Sequence, residues 1–538
     1  MNRQSRLSDE VMLRRRGRRD EPDLWTATSA EGMVATAHYH ATRCGAQILS
    51  QGGNAIDAAV AAGAALGVCE PGDSGLGGMA MMLVYHAASE RLSALEGACR
   101  VPLAATPELV GASPRTRGHR AVAVPTWPAV MARAMTRYGT MKTDEVLAPA
   151  IALAKEGFPV SPVLHILSKR YRGRLARHTG RLVFLDDRKR PFRVGTILRQ
   201  PALAATLTRL AEAGFEDFYQ GEIAREICTD MRANGGFLSA EDLRAIPWPR
   251  EVEPLTRTCG ERTLCTLGPP AGGHTLIHML NLLACLAPRE GIDPDSPEGL
   301  VLLAEIIGRA RRDRQAYYRQ IAKGKEPCLK ELLSLDQARQ VAAEMRAAGV
   351  KGQETSHLCV FDRKGNVVSL TQSLDRSFGA KTLTPSLGFL YNSYMCAFKI
   401  RNTRHPHFLR PGALARSNAA PTIVFSNGRP ELAVGAAGSE RVASAIFQVM
   451  ARLGRQSPFE AVQAPRLHTT PQGMVLYERE RFSADAIAAL ARRGFDLKCY
   501  APYSLKLACL QLALVQGDRF IGVADPRRDG AASGPCNG

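Results

Sequence analysis

The sequence predicts an α+β fold built in layers around one core. Three observations carry that expectation: strand-like runs and helices at both ends of the chain, a long helix-rich middle between them, and the absence of any internal repeat or low-complexity block. With 538 residues, 45% of them apolar and 22% charged, the chain holds ample material for a core. Length alone would suit three or four domains, but strands and helices at both ends around a helical middle read as one domain rather than a string of modules.

The elements follow from local pattern. From Gly32, MVATA reads as a short strand and HATRCGAQILSQ as an amphipathic helix stopped by Gly52-Gly53. Asn54 is placed to cap a second helix, Ala-rich to about Val68, which is apolar nearly all round and so must be buried. EPGDSGLGGMAMMLVY reads as a Gly-rich loop feeding a strand up to Tyr85. From Ala123 to about Gly349 the pattern is mostly helical, with loops rich in Arg and Pro such as FLDDRKRPFRVGTI. Within it, GPPAGG at 268–273 opens the apolar helix HTLIHMLNLLACL. After Thr355 strands dominate, followed by the helices ASAIFQVMARLG and ADAIAALARRG and a last strand pair ending near VADPRRDG.

The segment GQETSHLCVFDRKGNVVSLTQSLD, residues 352–375, holds the sharpest local feature. LCVF and NVVSLT bracket Asp362-Arg363-Lys364-Gly365-Asn366, whose Gly and Asn suit a tight turn, so two adjacent strands are expected. Thr355 and His357 stand at the mouth of the first strand, after the polar linker Gly352-Gln353-Glu354. A hydroxyl there is held by a rigid sheet yet open to a cleft, which suits a reactive group. The plainer alternative is one more hydroxyl capping a strand.

Several function classes recede. The net charge is +19, but Lys and Arg are spread along the chain and no nucleic-acid-binding signature accompanies them. The charge reads instead as an arginine-rich solvated surface with a preference for anionic substrates. The densest cluster, LRRRGRRDEPD from Leu13 to Asp23, belongs to a basic N-terminal tail, expected to be disordered over residues 1–30. That tail lacks the apolar stretch of a secretory or twin-arginine signal, and no run reaches the roughly 18–20 apolar residues of a membrane span, so a cytoplasmic protein without membrane or nucleic-acid partners is expected. Thirteen cysteines without CxxC spacing read as reduced core residues. His405 and His407 flank a proline and lack matching ligand spacing, so no metal is expected, nor any cofactor. Gly72-Asp73-Ser74-Gly75 resembles a serine-protease loop without the upstream partners, and close backbone approach explains its glycines equally well. The GxGG at 75–78 follows a helix, which removes the dinucleotide-binding context.

The wider context singles out Thr355. TSHLCVFDRKGNVVSLTQS closely resembles the TTHxSVVDxxGNxVSLTxT segment of the γ-glutamyltranspeptidase family of N-terminal-nucleophile (Ntn) hydrolases. The resemblance runs in order from Gly32 to Gly530 through GMVATAH, QGGNAIDAAVAAGAALGVCEP, SGLGG, PPAGGHTLIHMLN, APRLH and ADPRRDG. It implies a four-layer αββα sandwich made as one precursor, which cuts itself between Glu354 and Thr355. Residues 31–354 would form a large subunit and 355–538 a small catalytic subunit of the same fold, remaining associated. The chemistry has its own logic. A threonine hydroxyl alone is a poor nucleophile, whereas a Thr with a free α-amino group, pKa about 7.7–8.0, carries its own base. Before cleavage the hydroxyl attacks the Glu354 carbonyl and water resolves the ester; afterwards it attacks a small-molecule amide, and water or an amine acceptor releases the acyl group.

The resemblance also implies residue roles. Ser373 stands where the family has a second threonine and keeps the hydroxyl that can bond the nucleophile's amine. Gly438 and Ser439, in GAAGSER, stand at the paired glycines of the oxyanion hole, whose backbone N–H donors do not depend on the side chain. Arg441 matches the arginine that follows. The substrate half differs. Ala98, in LEGAC, replaces an arginine that grips the α-carboxylate of a γ-glutamyl group. In NSYMCA, Tyr394 replaces a glutamine and Ala397 the acidic residue that holds the α-ammonium. Asp375 stands for an asparagine, and Ser417-Asn418 for paired serines. A glutamate left without both counter-ions would cost on the order of several kcal/mol. Arg100 and Asp375 are candidate replacements, against the alternative that both pair elsewhere. The leading expectation is a self-processing Ntn amidohydrolase or acyltransferase whose acyl specificity has moved from γ-glutamyl toward a small carboxylated acyl group. The alternatives are a genuine γ-glutamyl hydrolase or transpeptidase acting on glutathione-like donors, and a non-catalytic relative with a binding role.

Overall fold

In the computed structural model, which describes residues 24–112, 114–246, 249–287, 292–344 and 355–535, two seven-stranded antiparallel sheets pack face to face. The first runs Ala531–Ser533, Gly32–Thr36, Ser356–Asp362, Val367–Ser373, Met79–His86, Arg91–Gly97, Arg250–Val252. The second runs Thr26–Ser29, Arg519–Ala524, Cys509–Gln516, Arg429–Ala437, Thr422–Ser426, Arg262–Thr266, Leu255–Cys259. Period-2 alternation assigns the faces. Cys359 and Phe361 point between the sheets, meeting Met33, Met81, Ile423, Ala433 and Ala513. Leu358 and Val360 point outward onto helix Ala55–Cys69. Strands buried on both faces read as continuous apolar runs, which is why LCVF shows no polar alternation. Helices Gly273–Leu286, Pro297–Ala322 and Val442–Met450 cover the outer face of the second sheet through Val434, Ala436, Leu510 and Leu512. The result is the four-layer αββα sandwich.

The expected hairpin is present, paired from Ser356↔Gln372 to Phe361↔Val367, with Gly365 at φ 85° in its turn. Its Asp362 carboxylate also accepts the Ala55 N–H at 2.9 Å, so the turn helps cap helix Ala55–Cys69. That helix is buried at every position and carries a reciprocal Asn54–Asp57 capping box.

Two expectations are corrected. The sequence predicts a disordered tail to residue 30, yet Thr26–Ser29 is an edge strand on Arg519–Ala524, with β-branched Thr26 and Thr28; residues 1–23 lie outside the described residues. The helical middle contains strands Arg250–Val252, Leu255–Cys259 and Arg262–Thr266, which complete one edge of each sheet. Their half-exposed, Arg- and Thr-rich sequences lack a clean period. No described cysteine is in a disulfide, and no described helix is long and apolar enough to cross a membrane.

Both sheets interleave strands from before and after Thr355. Buried Arg452 also pairs with Asp295 at 2.6 Å across the same division. A chain cut at Thr355 is therefore expected to elute as one particle in size-exclusion chromatography and to separate only in denaturant. Fragments that part in native buffer would contradict the interleaving.

Candidate active site

Thr355 is buried at the head of strand Ser356–Asp362; Glu354 lies outside the described residues. Since Ser356 pairs with Gln372, the next position across from Thr355 is Ser373, whose Oγ accepts the Asp375 N–H at 2.9 Å. The opposite sheet approaches in a fixed sense. The Ser369 hydroxyl donates to the Val434 carbonyl at 3.3 Å, and Gly435 lies so close to the His357 ring that a Cβ would sit 2.3 Å from Cε1. Ser369 is level with Cys359, so rising numbers in Arg429–Ala437 track falling numbers in the nucleophile strand. Gly438 and Ser439 thereby emerge at the Thr355 end. Both occupy left-handed backbone, at φ 138° and 64°, just ahead of helix Val442–Met450. A serine held at φ 64° is in a backbone region that costs free energy for a residue with a Cβ.

His357 is not available as a base. Its Nδ1 lies 2.9 Å from Thr371 Oγ1 and its Nε2 3.2 Å from Cys359 Sγ, and burial lowers its pKa to about 3.

A buried ion cluster beside Thr355 escaped the sequence reasoning. The Ser356 hydroxyl donates to Glu70 Oε2, while Arg528 Nη1 sits 2.6 Å from Glu70 Oε1 and 2.7 Å from Asp73 Oδ2. Burial pushes the Glu70 carboxyl up, with Asp529 adding to it and Arg528 and the Ser356 hydroxyl opposing it. The GDSG loop is thus a structural ion-pair loop. Asp73 also accepts the Leu374 N–H through its carbonyl at 3.0 Å, and a Cβ on Gly78 would lie 2.5 Å from the Ser373 carbonyl oxygen. Glu70 and Asp73 sit in EPGDSG and Arg528 in ADPRRDG, two segments the sequence singles out without showing that they meet.

On the substrate side the structure brings Ser373, Asp375, Tyr394 and Ser417 together. The buried Tyr394 phenol lies within hydrogen-bonding reach of the Ser373 and Ser417 hydroxyls, and burial raises its pKa. Asp375, at φ 76°, accepts from the Ser393 hydroxyl at 3.1 Å and the Cys396 thiol at 3.0 Å, with Arg376 Nε at 3.8 Å; burial pushes its carboxyl up. Arg100 is not brought to this group. Its charged neighbours are Glu96 and Arg250, and its backbone bridges Val124 and Leu414. Arg314, from helix Pro297–Ala322, was not anticipated: it donates to Asn418 Oδ1 at 3.0 Å and to the Ser417 carbonyl at 3.3 Å. No group of three or more metal-binding side chains stands together among the described residues.

Comparison with known proteins gives a consistent picture. The family model described as Gamma-glutamyltranspeptidase matches residues 41–535. A glutathione hydrolase proenzyme of Bacillus subtilis (strain 168) is 30% identical, over 94% of this chain and 91% of its own. The acylase ACY 1 proenzyme of Pseudomonas sp. (strain V22) is 33% identical over 87% of each chain. The crystal structure of cephalosporin acylase from Bacillus halodurans is similar with a TM-score of 0.86 at 27% identity, covering 96% of this chain and 99% of that one.

Proposed function

The chain belongs to the gamma-glutamyltranspeptidase family, and from that premise we propose that Thr355 is the nucleophile of a self-processing amide hydrolase or acyltransferase whose acyl group is not γ-glutamyl. The observation that carries this is the meeting of a buried Thr355, the facing Ser373 and the Gly438-Ser439 turn at one end of the sandwich.

In the precursor, Thr355 Oγ attacks the Glu354 carbonyl carbon. The peptide nitrogen leaves as the α-amine, an ester to Oγ forms, and water cleaves that ester to release the Glu354 carboxylate. In the mature enzyme the neutral α-amine takes the hydroxyl proton as Oγ attacks the substrate amide. The oxyanion accepts N–H bonds from Gly438 and Ser439, and the Ser373 hydroxyl orients the amine. Collapse expels the substrate's amine, which takes the proton, and water or another amine repeats the sequence on the acyl-enzyme. The Glu70–Arg528–Asp73 cluster positions this machinery through the Ser356 hydroxyl.

The shift in specificity rests on Tyr394 and Asp375. The Tyr394 phenol reaches the Ser373 and Ser417 hydroxyls, and Asp375 is already bonded to Ser393 and Cys396, so an α-ammonium finds no free carboxylate there. Relatives named as acylases support the same direction. Purified enzyme is expected to turn over γ-glutamyl-p-nitroanilide on the order of a hundredfold or more slower than glutaryl-p-nitroanilide, which differs only by lacking the α-amino group. Equal rates on the two anilides would restore the γ-glutamyl alternative.

A further inference from the structure

We propose that Arg311, Arg314 and Arg416 form a subsite for a carboxylate at the far end of the substrate's acyl group. The inference rests on the amide-hydrolase reading above and names the anion that site would select.

The three guanidinium groups line one small cleft, with Thr275, Asn418 and Ser439 on its walls. Ser439 belongs to the oxyanion turn, and Asn418 follows the Ser417 that Tyr394 reaches. The cleft therefore adjoins the turn at which an acyl carbonyl would be held. A short acyl chain anchored at that turn brings its distal group to the arginines.

Charge decides what that group is. Glu440 is the carboxylate of the cleft, and Arg311 already engages it, through Nη2 to Oε2 at 2.5 Å and through Nη1 to its backbone carbonyl at 2.7 Å. Arg314 bonds neutral oxygens, those of Asn418, Ser417 and Tyr318, and feels the Glu440 charge without bonding it. Arg416 is half-buried and, among the described residues, has neither a carboxylate partner nor a hydrogen bond. Arg311, itself 92% buried as judged by its 8% exposure, keeps its Nε unpaired. The neighbouring imidazoles add no charge of either sign: burial, reinforced by Arg416 and Arg314, lowers His407 to about 3, and burial, reinforced by Arg314, lowers His274 well below its usual value. His405 is shifted down by burial, reinforced by Lys399 and Arg416, and the Tyr318 ring stands between Arg314 and His407. Two cationic groups are thus left uncompensated in a partly desolvated cleft. Arginine's planar fork matches a carboxylate in two parallel bonds, and an ammonium would be repelled.

The test pairs a binding measurement with a turnover ratio on the full chain. Wild-type enzyme is expected to prefer glutaryl-p-nitroanilide to its methyl ester, and Arg416→Gln to reduce that preference about tenfold to a hundredfold. Arg416→Lys, which keeps the charge, is expected to recover part of it. Independently of turnover, glutarate is expected to bind in isothermal titration calorimetry and to bind at least about tenfold more weakly to Arg416→Gln. A split chain that binds no glutarate, or whose preference survives Arg416→Gln, overturns the subsite and leaves the Thr355 reading standing. A preference that appears instead for 4-butyramidobenzoate over its methyl ester overturns the acyl-side placement, since its carboxylate is on the leaving amine. An unsplit chain defeats the nucleophile reading, while the glutarate titration still decides the subsite.

Discussion

Thr355→Ala is expected to leave the 538-residue chain in one piece and to abolish amide hydrolysis, by about 10⁴-fold or more. In the proposed mechanism the same hydroxyl performs both reactions, attack on the Glu354 carbonyl and attack on the substrate, so its removal would stop maturation before catalysis could begin. The two effects separate in Thr355→Ser, which keeps the oxygen and is expected to split, more slowly. Intact mass and anilide turnover, measured on variants with wild-type circular dichroism, provide the check. A Thr355→Ala chain that still divides at that bond would transfer the nucleophile's role elsewhere.

The second large effect belongs to Arg528. Its guanidinium lies between Glu70 and Asp73 in a fully enclosed environment, and Arg528→Ala removes the cation while leaving both carboxylates buried. Breaking a buried pair in this way costs about 3–5 kcal/mol, more than the deleted contact itself is worth, because the orphaned charges have lost their water. The expected outcome is a lower denaturant midpoint and slower self-cleavage, the latter because Ser356, bonded to Glu70, follows Thr355, the proposed nucleophile. Adding Glu70→Gln to Arg528→Ala should recover part of the loss, since it removes one of the two stranded charges. Unchanged stability in Arg528→Ala would mean that the cluster is not the anchor described above.

Much of the frame was legible because it is written locally. The hairpin of Ser356–Asp362 and Val367–Ser373 follows from two apolar runs around a Gly-Asn turn, and helix Ala55–Cys69 declares its burial by being apolar on every face. What stayed hidden depends on residues that are distant in the chain. Glu70 and Arg528 are 458 positions apart, and nothing in either segment specifies the other. Strands such as Leu255–Cys259 owe their conformation to the sheet edge they complete rather than to their own period. Arg100, two residues past Ala98, is by sequence position a candidate to replace the lost arginine, with pairing elsewhere as the alternative, and its charge faces Glu96 and Arg250. Arg416 sits one residue before Ser417, and only the approach of helix Pro297–Ala322 turns it into part of an arginine cluster.

The most direct test of the central claim is the intact mass of the purified wild-type protein. Two chains are expected, the smaller beginning at Thr355. A single undivided chain, or a division at any other bond, would contradict it.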